Sequence, residues 1–181
     1  MRIKTFFLRF IAFSIVVYFL WYFFLGKPYL FALAYASKYL LFAMGYKVSL
    51  ITTGDTPYFA YTGMKISMEG AHLQNYNIVP LVSLTLAVTG VSLKRKGKML
   101  LIGMAVLFLL HLTNFVSHIP EYFDRSQLAH MIIESMGVGQ VAVPFLIWFA
   151  LAYRDIFPDI EKKQFKPSKN IQRYKASRNA K

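Results

Sequence analysis

Four apolar runs alternate with polar stretches along the chain: Phe6 to Leu25, Ile78 to Leu93, Met99 to His118 and Val138 to Tyr153. Each approaches the ~20 residues that a helix needs to cross hydrocarbon, so the pattern predicts four membrane spans. The sharpest change of character lies between Glu69 and Leu93. There a loop holding Glu69, His72, Gln74, Asn75 and Asn77 runs directly into a stretch without charge. Such a loop cannot sit in lipid, so this junction is expected to mark a membrane surface.

The stretches between the runs are also patterned. Pro28 to Gly45 reads as a helix. Its single charge, Lys38, suits a helix lying at the outer interface with the ammonium reaching water, and Gly45 suits its C-terminal stop. Tyr46 to Asn75 forms the predicted outer cap. KVSLITTG and YFAYTGMKISMEG are rich in β-branched and aromatic residues and flank Gly54-Asp55-Thr56-Pro57, which predicts a β-hairpin. Lys94 to Lys98, KRKGK, reads as a tight turn, and residues 119–137 as an outer loop with a short interfacial helix. The expected fold class is therefore an all-α integral membrane protein with four transmembrane helices, interfacial helices and a small extracytoplasmic hairpin. Residues 1–153 would form a single membrane domain and residues 154–181 a basic cytoplasmic tail. The opening segment has a basic start and an apolar core like a signal peptide. Its length and the lack of a small-residue cleavage site favour a retained span.

Composition supports the membrane reading: 56% of residues are hydrophobic and the mean hydropathy is +0.43. The net charge of +13 could suggest nucleic acid. Its distribution excludes that reading, because with four spans the side bearing both termini and KRKGK carries all of the +13. The other side balances to zero. The positive-inside rule predicts this asymmetry for cytoplasmic termini, with no nucleic-acid partner. Lys94, Arg95, Lys96 and Lys98 are then expected to meet lipid headgroups. The chain contains no cysteine, which removes disulfides, thiolate metal sites and cysteine nucleophiles.

The order of parts resembles the exosortase and archaeosortase family. Its members share an interfacial helix, a short outer β-like stretch ending in a cysteine motif, a span of the type C-x-G-I, a basic turn, a span ending in N-x-x-R, and a later histidine or arginine. Here GYKVSLITTGDTPYFAYTGMKISMEG runs into NYNIVPLVSLTLA, with Asn75 at the cysteine position and Ile78 at the isoleucine. Asn114 to Ser117, NFVS, keeps the asparagine and places Ser117 at the arginine, and His130 stands for the later histidine. The resemblance covers roughly residues 28 to 153. It implies a prokaryotic plasma-membrane scaffold of the kind that processes C-terminal sorting signals. An asparagine amide cannot form the family's thiolate acyl intermediate, and loss of the arginine removes its electrostatic support.

The candidate polar site comprises Asn75, Asn77, Asn114, Ser117, His118 and His130. Amides donate and accept without charge, which suits a partly dehydrated binding surface. His111, Asn114 and His118 share one helix face, which must turn from lipid. Ser117 and His118 are neighbours on a helix and point about 100° apart, which does not make a nucleophile–base pair. The leading expectation is a non-catalytic structural or accessory subunit, with no catalytic residue, metal or cofactor. It would engage membrane lipids, other membrane subunits and an extracytoplasmic protein or peptide. One alternative is a membrane-embedded peptidase or transferase with a rearranged polar site. Another is a subunit that binds haem, chlorophyll or a metal through its histidines.

Overall fold

The computed structural model describes residues 3–54, 56–67, 75–139 and 141–156. The loop residues Glu69, His72 and Gln74, the turn residue Asp55 and the tail from residue 157 onward lie outside the described residues.

The first helix, α1 (Ile3–Leu20), passes through a π-helical turn (Trp21–Leu25) into α2 (Gly26–Ala43) without a break. The expected span and separate interfacial helix are thus one continuous helix of 41 residues, ~60 Å long at the standard rise. The π turn has a clear sequence rationale. Going along α1, the inward positions Phe6, Phe10, Phe13, Val17 and Trp21 recur every three or four residues. The next is Gly26, five residues on, followed by Leu30, Leu33, Ser37 and Leu41. A strict α-helix would swing that second set off the packed face. One wider turn, in which the Gly26 N–H donates to the Trp21 carbonyl, keeps both sets on one side.

Three strands follow: β1 (Ser49–Ile51), β2 (Tyr58–Tyr61) and β3 (Met64–Ser67). They form an antiparallel sheet in the order β1-β2-β3, one strand more than the expected hairpin. The β2–β3 connection is the two-residue turn Thr62-Gly63, both with positive φ (48° and 81°), which matches the twist of the strands. Leu50, Phe59 and Ile66 lie opposite one another across the ladder. They pack on a core of Leu30, Ala34, Leu41, Phe115, Val116 and Ile119.

A short 3-10 turn (Asn75–Asn77) leads into α3 (Ile78–Ala87), whose Pro80 sits in the first turn where its missing N–H costs nothing. At 10 residues this helix stops short of the expected run to Leu93. The chain leaves helical geometry at Val88 and turns at Gly90 (φ 81°). KRKGK is then not the turn: it forms the opening of α4 (Leu93–Asp124), a helix of 32 residues. The Ser92 hydroxyl caps it by accepting the Arg95 N–H at 3.3 Å. Pro120, expected to open the outer loop, lies inside α4, which ends at Arg125 in the left-handed region. The remaining helices are α5 (Gln127–Gly139) and α6 (Val143–Ile156). Arg154, assigned to the tail by its sequence, stands in the last turn of α6.

Two cores and the basic residues define the long axis. At one end Phe6 of α1 meets Leu84 and Ala87 of α3 and stacks on Trp148 of α6 at 5.9 Å. Halfway along, Trp21 joins Ile78, Leu81 and Leu107. The sheet and the second half of α4 occupy the far end. Among the described residues, Ile3–Ala43 and Leu93–Asp124 are the two helices long and apolar enough to cross a membrane. Their surfaces differ. Most of α1 faces outward with bare apolar side chains, including Phe7, Leu8, Ile11, Ile15 and Phe19, whereas α4 is covered by its neighbours to a much greater extent.

Candidate functional site

The polar residues singled out by sequence do not form one site. They separate into a buried amide cluster midway along the molecule and a histidine–carboxylate cluster at the far end.

The buried cluster forms where the chain enters α3. Asn75 is only 1% exposed, and its amide oxygen and nitrogen find no hydrogen-bond partner among the described residues. Asn77 and Asn114 line a small cavity together with His111, closed by apolar residues that include Leu107 and Met136. The sequence marks His111 both as part of the polar stripe and as a possible cofactor ligand, whereas nothing in it singles out Tyr29. The Tyr29 hydroxyl hydrogen-bonds Nδ1 of His111 at 2.8 Å, tying the start of α2 to the middle of α4. Nε2 of His111 has no partner among the described residues. A set of neutral donors and acceptors in so dry a setting can hold a polar group of matching pattern. Ser117 turns to its own helix, where it donates its hydroxyl to the Thr113 carbonyl at 2.8 Å.

The second cluster joins α4 to α5. The Glu121 carboxylate meets Nδ1 of His130 through Oε1 at 2.9 Å and lies 3.8 Å from Nδ1 of His118 through Oε2. The other ring nitrogen of His130 is 3.2 Å from Glu134, one turn along α5. The hydrogen bond to Glu121, aided by the Glu134 charge, raises the His130 pKa above its ordinary value. Glu121 was not among the predicted residues, although Glu121 and His118 are one turn apart and His130 and Glu134 another. Near this cluster the Tyr46 hydroxyl donates to Asp124, which pushes its pKa up to about 12. No group of three histidines or carboxylates among the described residues is arranged to hold a metal ion.

The four basic residues of KRKGK also divide. Lys94 and Lys98 are exposed. Arg95 turns inward to the Leu151 carbonyl at 3.0 Å and to Asp155 at 3.2 Å. The Lys96 ammonium donates to the Leu86 carbonyl at 2.7 Å. Burial, with Arg9 nearby, lowers its pKa. Both cations thereby satisfy carbonyls at the C-terminal ends of α6 and α3, where the helix dipoles favour positive charge.

Comparison with protein-family models, with curated proteins and with solved structures finds no match to this chain.

Proposed function

We propose that this chain is a four-span membrane protein with exosortase-like layout that serves as a non-catalytic, accessory subunit of a larger membrane complex. In this reading α1 and α4 cross the bilayer as single helices, the shorter α3 and α6 complete the other two passes together with the chain that flanks them, and the basic end faces the cytoplasm. The sheet, α5 and the outer parts of α2 and α4 stand on the extracytoplasmic side. Lys94, Lys98, Lys4 and Arg154, all exposed, would meet anionic headgroups, while Arg95 and Lys96 are engaged within the protein.

One observation carries the accessory role. The Ile3–Ala43 helix is 41 residues long, about twice what hydrocarbon requires, and its outward side is mostly apolar, interrupted by the exposed charges of Lys4, Arg9 and Lys27. Lipid can cover α1. Beyond it, Tyr35, Tyr39, Leu40 and Phe42 are exposed on α2, with Met44 just past its end, apolar and aromatic surface of the kind that marks interaction sites. A partner with a span alongside α1 and an extracytoplasmic part against α2 would bury both. The dry amide cluster around His111 acts in this reading as an interhelical polar lock.

Purification of the full chain from native membranes in mild detergent tests the reading. The expected result is a membrane partner in fixed stoichiometry, lost in Tyr39→Asp while the protein remains folded and membrane-bound. Recovery of the chain alone at full yield, with no partner in either form, would overturn it. Because the chain has no cysteine, single-cysteine labelling at Lys65 and at Lys98 reports the topology directly. Lys65 should label from outside and Lys98 only after the membrane is opened.

A further inference from the structure

A cavity of about 370 Å³ lies between the sheet and the far end of α4, within the usual range for small-molecule sites. Its floor is apolar and dry: Phe59 is 0%, Phe115 5% and Ile119 1% exposed. Its mouth is polar, with Lys65 on β3 and His118 on α4, beside the exposed Met64. Such a division fits an amphiphile, with a chain on the floor and a head at the mouth.

The level of the cavity along α4 says where that amphiphile comes from. Lys98 and His118 stand on one unbroken helix, roughly 20 residues and ~30 Å apart, which equals the thickness of the hydrocarbon layer. With Lys98 at the inner surface, His118 and Lys65 reach the outer headgroup layer and Phe115 lies about one turn deeper. The charges select the head. Glu121, the acidic residue of the wall, is already matched by His130 at 2.9 Å. The Lys65 ammonium, 5.3 Å above the Tyr58 ring, makes no ion pair among the described residues.

From these features we infer that the cavity between β3 and α4 binds one anionic phospholipid of the outer leaflet, its phosphate on Lys65 and an acyl chain against Phe59, Phe115 and Ile119. The inference rests on the membrane topology proposed above. It makes the extracytoplasmic cap a lipid-reading element, separate from the basic surface at the opposite end.

The test is native mass spectrometry of the delipidated full chain in detergent, titrated with dioleoyl phosphatidylglycerol or dioleoyl phosphatidylcholine. One phosphatidylglycerol should bind more tightly than phosphatidylcholine. Lys65→Ala should weaken it about fivefold, the equivalent of the ~1 kcal/mol that one lysine contributes at an anionic surface. Met64→Trp, at an exposed rim position that tolerates bulk, should block the mouth and weaken both lipids. Ile119→Phe should do the same from the floor. Lys47→Ala, at an exposed lysine outside the cavity wall, should leave this tight binding unchanged. Binding unaltered by Lys65→Ala and Met64→Trp, or weakened as much by Lys47→Ala, would overturn the inference. Failure of the topology itself would show separately, as external labelling of a cysteine at position 98.

Discussion

Gly103 offers a direct measure of how tightly the helices are fitted. It lies on the inward face of α4, and a Cβ built there would stand 2.9 and 3.2 Å from the two terminal carbons of Leu81 on α3 and 3.5 Å from Ile147 on α6. Two effects oppose one another in Gly103→Ala. Replacing glycine inside a helix gains ~1 kcal/mol of intrinsic propensity. Pressing a methyl group into a filled site costs ~1–3 kcal/mol. Leu81 is 0% exposed and confined by Trp21, Ile78 and Leu107, so it cannot swing aside and the cost prevails. The expected net effect is a destabilisation of up to ~2 kcal/mol. Removing the obstruction reverses the sign: in a Leu81→Ala background, Gly103→Ala should stabilise by ~1 kcal/mol, the propensity gain alone. The coupling between the two sites should therefore be ~1–3 kcal/mol. Equilibrium unfolding in mixed micelles, followed by tryptophan fluorescence, measures all four species. If Gly103→Ala stabilises both backgrounds equally, within the ~0.5 kcal/mol expected of independent sites, the proposed close contact of α3 with α4 is wrong.

Three further outcomes follow from particular contacts. The folded pKa of His130 is raised above its unfolded value of ~6.5, so its link between α4 and α5 is fully present below pH ~6.5 and is lost as pH rises through the folded value; amide exchange in α5 should quicken over that interval, and His130→Gln should abolish the pH dependence. Tyr29→Phe should cost ~1 kcal/mol, because Nδ1 of buried His111 would lose its partner. Adding His111→Leu should restore part of that loss in the same unfolding assay, whereas an additive further loss would contradict the argument. Arg95→Ala should destabilise by up to ~1 kcal/mol and speed amide exchange in the last turn of α6, where it holds Asp155 and, one turn earlier, the Leu151 carbonyl, without affecting α5.

The elements that follow from local pattern were legible in the sequence. The apolar runs mark the helices, β-branched and aromatic residues around residues 46–67 mark strands, and the basic residues gather at one end. What escaped were boundaries decided by neighbours. The pattern separates the run to Leu25 from the helix beginning at Pro28, but a proline three residues past a π turn falls where the regular hydrogen-bond ladder is already interrupted. KRKGK looked like a loop because charge dominates it. The turn signal was Gly90, and Ser92 three residues before Arg95 was the cap. Thr62-Gly63 between two β-rich stretches was a hairpin signal that passed unread. For the site, the sequence grouped polar residues by type. The fold groups them by level, bringing Asn77, Asn114 and His111 to one cavity and His118 and His130 to Glu121. The Tyr29 partnership depends on residues 82 apart, which no periodicity announces.

The extra residue in the Trp21–Leu25 turn makes the first helix a two-part rod whose halves are aligned independently. Deleting one residue there would twist the outer half by ~100° about its axis and carry Leu30, Ala34 and Leu41 away from the sheet while leaving the inner half seated. The rotational setting of α2 against the sheet and α4 is thus fixed at a single joint, so a change confined to those five aromatic and aliphatic positions would turn the whole of α2 out of its seat.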